Sequence, residues 1–125
     1  MKNILIIEDN EINMKLFADI LEAKGYSVTK IFDGKEGYEA IKKQKYDLVI
    51  LDIQLPSMNG FEILEHLHDD AIELPKILIV SAFAMEHEIA MARQLGAKNY
   101  LTKPIDIMNF INTVSDILNG GNSPC

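Results

Sequence analysis

The chain has 125 residues, a length that suits one domain with a single core. Its 19 acidic residues outnumber its 12 basic ones, and the net charge of −7 disfavours the phosphate backbone of nucleic acid as a partner. The one cysteine, Cys125, excludes an intrachain disulfide. Because no apolar run is long enough to span a membrane and no signal peptide is evident, a cytoplasmic protein without membrane insertion is expected.

The first half of the chain alternates short apolar runs with amphipathic stretches. This pattern predicts strand, helix, strand, helix and strand over residues 3–8, 11–24, 26–32, 35–45 and 47–52. The strand at 26–32 has few apolar residues and is expected at a sheet edge, whereas 47–52 is apolar on both faces and is expected between two layers. In the first helix, the spacing predicts a core-facing stripe of Ile12, Leu16, Ile20 and Ala23.

The second half continues the alternation. It predicts helix, strand, helix, strand and helix over residues 60–69, 76–81, 85–95, 98–101 and 106–118. Strands that alternate with helices predict a parallel sheet covered on both faces. Right-handed crossovers then indicate a flavodoxin-like, doubly wound α/β fold with strand order 2-1-3-4-5 and five helices. We expect this domain to occupy residues 1–118, with a disordered tail at 119–125 and no output domain.

Polar side chains stand where four of the predicted strands end, and parallel strands end at the same edge. The set consists of Glu8, Asp9, Asp52, Ser81 and Lys103. Two carboxylates about 4 Å apart repel by roughly 4 kcal/mol at an effective dielectric of about 20. Three carboxylates therefore need a cation or a raised pKa, and oxygen ligands favour Mg²⁺. An acid nucleophile, a metal, a lysine and a hydroxyl are what phosphoryl transfer to a carboxylate requires.

These landmarks resemble those of response-regulator receiver domains, the phospho-acceptor modules of two-component signalling. The resemblance covers residues 3–118 and rests on Glu8-Asp9, Asp52 with Pro56 and Gly60, Ser81-Ala82 and Lys103-Pro104. Residues 8–17, 52–56 and 81–85 also resemble the stand-alone cell-cycle regulators of the DivK type. The resemblance implies a phosphorylation-switched signalling protein that controls the cell cycle or cell division. It implies self-catalysed phosphoryl transfer and no enzymatic activity on a separate substrate.

The resemblance also implies a role for each site residue. Asp52 would accept a phosphoryl group from a phosphohistidine of a sensor histidine kinase or a histidine phosphotransferase. Lys103, with a cis bond to Pro104, would pair with the phosphoryl group. Mg²⁺, for which Mn²⁺ could substitute, would be bound by Asp9, Asp52, Glu8 through water, and the backbone carbonyl of Gln54.

Two surfaces are expected to bind partners. The resemblance implies that Ser81 moves to hydrogen-bond the phosphoryl group and that Tyr100 then rotates inward. The face made by the fourth helix, the fifth strand and the fifth helix would change for a downstream kinase or adaptor protein. A second surface is expected on the first helix, where Asn13, Met14 and Phe17 flank the predicted core stripe.

Three other functions stay open from the sequence. A degenerate receiver would bind its partners without being phosphorylated. A phosphatase with an aspartyl nucleophile would need a general acid where Gln54 stands. A flavodoxin-like electron carrier would need to cradle a phosphate where Glu8 and Asp9 would repel it.

Overall fold

The computed structural model describes residues 1–82 and 85–120, and there five strands alternate with five helices. The strands are β1 Asn3–Ile7, β2 Ser27–Ile31, β3 Leu48–Leu51, β4 Ile77–Ser81 and β5 Asn99–Thr102. The helices are α1 Glu11–Ala23, α2 Gly34–Lys43, α3 Gly60–Asp69, α4 Glu86–Gln94 and α5 Ile107–Leu118. Each predicted element is present. Most of the predicted tail, 121–125, lies outside the described residues.

The strands form one parallel sheet in the order β2-β1-β3-β4-β5, which confirms the predicted flavodoxin-like topology. β3 and β4 are wholly buried, as expected for branched apolar strands covered on both faces. β2 is the half-exposed edge strand that its polar composition predicted. In the register, Ile7 pairs with Leu51, and Ser81 pairs with Thr102. The carboxyl ends of these strands therefore meet at one edge.

The sheet separates two apolar cores. Side chains of α1 and α5 pack on one face, where the rings of Phe17 and Phe110 stack with centroids 5.0 Å apart. Helices α2 and α3, with Ala92 of α4, cover the other face. None of the described helices combines the length and the apolarity that a membrane crossing requires.

The predicted core stripe of α1 is wrong. Its buried face consists of Met14, Phe17, Ala18 and Leu21, whereas Ile12 is 80% exposed and Leu16 is 39% exposed. Of the predicted stripe, only Ile20 packs against the core. Both sets of residues recur at helical spacing, so periodicity alone could not separate them. Phe17 stacks on Phe110, a residue far away in sequence, and this contact helps to decide which face of α1 is buried.

Candidate functional site

The four strand ends at the carboxyl edge bring the predicted site residues together. Glu8 follows β1 and Asp52 follows β3, and their backbones are joined to the ladder by hydrogen bonds to neighbouring strands. Ser81 is the last residue of β4, and its carbonyl accepts a hydrogen bond of 2.9 Å from the amide of Lys103. The parallel sheet thus collects groups that are distant in sequence, as predicted.

The centre of this edge is an ion triad. The Lys103 Nζ atom lies 2.8 Å from Asp52 Oδ2 and 2.9 Å from Glu8 Oε1. Glu8 and Asp52 are buried, at 2% and 4% exposure, and the Lys103 side chain is 19% exposed. Buried carboxylates need a counter-charge, and the Lys103 ammonium supplies it for Glu8 and Asp52. The peptide bond between Lys103 and Pro104 is cis, as expected.

Hydrogen bonds satisfy only part of the acidic site. The amide of Asn10 donates to Glu8 Oε2 at 3.1 Å, and the amide of Gln54 donates to Asp52 Oδ1 at 3.1 Å. Glu8 Oε1 is buried and has no hydrogen-bond partner, although it lies close to the Lys103 ammonium. The ion pair with Lys103 is therefore the contact that balances the charge of this oxygen.

The pKa values of the triad are shifted by burial and by the neighbouring charges. Burial raises the pKa of Glu8, and the nearby charge of Asp52 raises it further, against the lowering effect of Lys103 and of the Asn10 amide. Burial alone would lower the pKa of Lys103, but its contacts with Asp52 and Glu8 outweigh that effect and raise it. The ammonium is therefore held in its charged form, while Glu8 ionises with more difficulty than a glutamate in water.

Three carboxylates converge beside the triad. One oxygen of each of Glu8, Asp9 and Asp52 lies within 4.8 Å of the others, and Asp9 faces solvent. An all-oxygen set that is open on one side is the donor chemistry that Mg²⁺ prefers. The solvent-facing carboxylate of Asp9 leaves the set accessible to a cation. The predicted ligand role of the Gln54 carbonyl stays a prediction, although its amide is placed next to Asp52.

Ser81 and Tyr100 lie together on β4 and β5 beside the acidic site. Ser81 is completely buried and Tyr100 is half-buried. Burial and the charge of Glu88 raise the pKa of Tyr100, while a hydrogen bond with the Ser81 side chain lowers it. The two residues predicted to respond to phosphorylation are thus already linked to each other.

The profile of the response regulator receiver domain matches residues 4–115. The chain is a response-regulator receiver domain. Such domains are signalling modules of two-component systems, and they typically bind Mg²⁺ at an acidic pocket like this one. Their partners are histidine kinases or phosphotransfer proteins.

Known relatives of this receiver domain cover nearly its whole length. The polar-differentiation response regulator DivK of Brucella anthropi is 39% identical over 118 residues, which are 94% of this chain and 96% of that protein. The receiver domain of the Francisella response regulator 1452 has a TM-score of 0.88 at 26% identity, covering 96% of this chain and 98% of that one.

One solved structure bears on the acidic site. It is the receiver domain of a sensor histidine kinase from Pseudomonas aeruginosa PAO1, which was solved with a magnesium ion coordinated in its active site cleft. It has a TM-score of 0.83 and 26% identity, and it covers 94% of this chain and 98% of that chain.

The loop that follows Asp52 is fastened to the start of α2, a feature that the sequence analysis missed. Ser57 Oγ donates to Asp33 Oδ1 at 2.7 Å, and the Gly34 amide donates to the Pro56 carbonyl at 3.2 Å. A Cβ atom at Gly34 would stand 1.7 Å from the Met58 carbonyl oxygen, so only glycine allows this approach. The sequence shows Asp33-Gly34 merely as a turn before a helix.

The predicted partner surface on α1 of the receiver domain needs correction. Met14 and Phe17 are 1% and 2% exposed and belong to the core, so they offer no surface to a partner. Asn13 is partly exposed, and the large apolar side chains that α1 exposes are Ile12 and Leu16. The error follows from the inverted core stripe described above.

Proposed function

We propose that Asp52 accepts a phosphoryl group from a phosphohistidine of a sensor histidine kinase or histidine phosphotransferase. The observation that supports this most is the buried carboxylate of Asp52 in contact with the Lys103 ammonium and beside two further acids. A carboxylate nucleophile beside two further acids needs fixed cations to accept a phosphoryl group, and this site supplies one and has the ligands for another.

In the transfer, an oxygen of Asp52 attacks phosphorus while the bond from phosphorus to the histidine nitrogen breaks. The nitrogen keeps the electron pair of that bond, and a proton on the other ring nitrogen of the phosphohistidine lets the ring leave as a neutral imidazole on the partner. Lys103, which already contacts Asp52, binds an oxygen of the arriving phosphoryl group and offsets its charge. Asp9 and Asp52, with Glu8 through a water and the Gln54 carbonyl, would hold Mg²⁺, which neutralises charge on phosphoryl oxygens when bound.

The output step uses Ser81 and Tyr100. The Ser81 hydroxyl donates to a phosphoryl oxygen, which removes the contact that it now makes with Tyr100. Tyr100 turns inward, and the face formed by α4, β5 and α5 changes for a downstream kinase or adaptor. The 39% identity to DivK supports a role in polar differentiation or cell-cycle control, and we assign this function to a domain spanning residues 1–118.

Acetyl phosphate with Mg²⁺ tests the acceptor directly. Intact mass measurement should show the addition of one phosphoryl group to the wild type and none to Asp52→Asn. Asp19→Asn, which removes an exposed carboxylate on α1, is the matched control and should be labelled like the wild type. If folded wild type gains no mass, or if Asp52→Asn gains as much, the proposal is wrong. A binding module that works without phosphorylation would then be the better description.

A further inference from the structure

A second concave surface lies at the opposite edge of the sheet from Asp52. A cleft of about 480 Å³ opens between the carboxyl end of α2 and the loop that joins α3 to β4. Its apolar lining consists of Ile41, Tyr46, Ile72, Leu74 and Pro75. A volume of this size matches the range of ligand-binding pockets.

The cleft continues into a second hollow. The second cavity, of about 300 Å³, shares Leu74 and Pro75 with the first and extends towards Gly96 and Asn99. The two hollows therefore adjoin at these two residues. We call this double cleft the amino-edge groove. Two adjoining hollows suit an extended chain that can place one side chain in each of them.

Lysines surround the amino-edge groove. The first hollow is lined by Lys42, Lys43 and Lys45, and the second by Lys76 and Lys98. These are five of the 12 basic residues in a chain whose net charge is −7, so this edge differs in sign from the acidic site. Glu73 is the acid in the lining.

Most of these lysines have no acidic partner among the residues that the structure describes. Within residues 1–82 and 85–120, Lys43, Lys45 and Lys98 form no ion pair, and Lys42 makes only a loose one, 3.9 Å from Asp70. Lys76 donates to the Ile117 carbonyl at 3.0 Å. A favourable helix dipole explains lysines in the last turn of α2, but not those that precede β3, β4 and β5.

We propose that the amino-edge groove docks an extended acidic peptide segment of a partner protein. Apolar side chains of the segment fill the two hollows, and its carboxylates lie against the lysine rim. The recessed apolar surface favours a peptide over a lipid bilayer, which needs protruding apolar side chains. It favours a peptide over nucleic acid because four of the five apolar residues that line the first hollow are aliphatic and offer bases no surface for stacking. This proposal uses no residue of the phosphoryl-accepting site.

The test uses a fluorescein-labelled synthetic peptide of alternating glutamate and leucine, with fluorescence anisotropy at low ionic strength. The double variant Lys43→Glu with Lys45→Glu should bind this peptide about tenfold or more weakly, as expected for two reversed rim charges. The control variant Lys15→Glu with Lys30→Glu changes the net charge equally, away from the groove, and should bind like the wild type. A peptide with glycine in place of leucine should also bind more weakly, because it leaves the hollows empty.

Three results would overturn the proposal: no binding to the wild type, equal losses in the two double variants, or binding of anionic vesicles or single-stranded RNA without binding of the peptide. Circular dichroism and thermal melting establish that both variants are folded. The milder pair Lys43→Gln with Lys45→Gln repeats the measurement without adding negative charge. Labelling by acetyl phosphate should be unchanged in these variants, so a failure of the groove proposal is distinguishable from a failure of the acceptor proposal.

Discussion

Replacing Lys103 by methionine should destabilise the protein in a pH-dependent way. The change keeps an apolar stem of similar length and removes the cation that lies within 2.9 Å of both buried carboxylates. In the described part of the chain, no other cation lies within 4.0 Å of Glu8 or Asp52. The two acids would then face each other without a counter-charge in a Mg²⁺-free buffer.

The size of the effect has an upper bound. Repulsion between two carboxylates about 4 Å apart amounts to roughly 4 kcal/mol at an effective dielectric of about 20. The protein can avoid it by protonating Glu8, whose pKa starts from an ordinary value of 4.5. Protonation at pH 7 costs about 3.4 kcal/mol, since each pH unit above that value adds about 1.36 kcal/mol. Solvent reaches the site beside the exposed Asp9, so we expect a loss of about 2–3 kcal/mol.

The sign of the pH dependence follows from the pKa of Glu8. A carboxyl whose pKa is raised on folding stabilises the folded state most below its unfolded value of 4.5, and stability falls as pH rises through the folded value. Without Lys103 this pKa rises further. The cost of protonation at pH 5 is only about 0.7 kcal/mol, which limits the loss relative to wild type to about 1 kcal/mol.

Urea unfolding at pH 7 and pH 5, without Mg²⁺, measures both losses. Lys15→Met is the control, because Lys15 forms an exposed ion pair with Asp19 and should matter little at either pH. The double variant Lys103→Met with Glu8→Gln should recover much of the stability at pH 7. A Lys103→Met protein as stable as wild type at pH 7, or one with equal losses at both pH values, would refute this account of the triad.

Three further changes test the ion site, the acceptor loop and the core. Mg²⁺ should stabilise the wild type against unfolding by about 1–3 kcal/mol at 10 to 100 times its Kd. Thermal melting should show that Glu8→Gln loses most of this gain. A variant that keeps the full gain would show that Glu8 is not part of the ion site. A Cβ atom in Gly60→Ala would stand 2.7 Å from the Asp52 carbonyl oxygen. Urea unfolding should therefore show a loss of about 1–3 kcal/mol and acetyl phosphate labelling should slow, whereas unchanged values of both would contradict the close approach. Phe110→Ala removes a fully buried ring and should cost about 3–5 kcal/mol in urea unfolding, and a loss below about 1 kcal/mol would mean that the ring stacked on Phe17 is not central to the core.

The sequence was sufficient to predict the sheet and the membership of the acidic site. Strands such as Leu48–Leu51 are buried on both faces, so their apolar runs are unbroken, and the turn and cap residues at their ends mark the edge. The alternation of elements predicts the strand order, and the strand order places the ends of four strands at one edge. Glu8 and Asp52 can therefore be predicted to be neighbours without any information about side chains.

The buried face of α1 could not be predicted from the sequence, for a definite reason. The helix carries apolar residues on two faces. One face has Ile12 and Leu16, and the other has Met14 and Phe17. The choice between these faces depends on which one meets the neighbouring elements, including Phe110 of α5. For the same reason the polar tie between Asp33 and Ser57 could not be predicted, because it joins loops that are adjacent only after the sheet has formed.

The attachment of α2 to the segment after Asp52 has a consequence for how the domain works. With Asp33, Gly34 and Ser57 holding that segment, the backbone that carries the acceptor is already in position before any donor arrives. Little entropy is then left to lose at the moment of transfer. The speed of phosphorylation should therefore respond to mutations at the beginning of a helix that contributes no group to the chemistry.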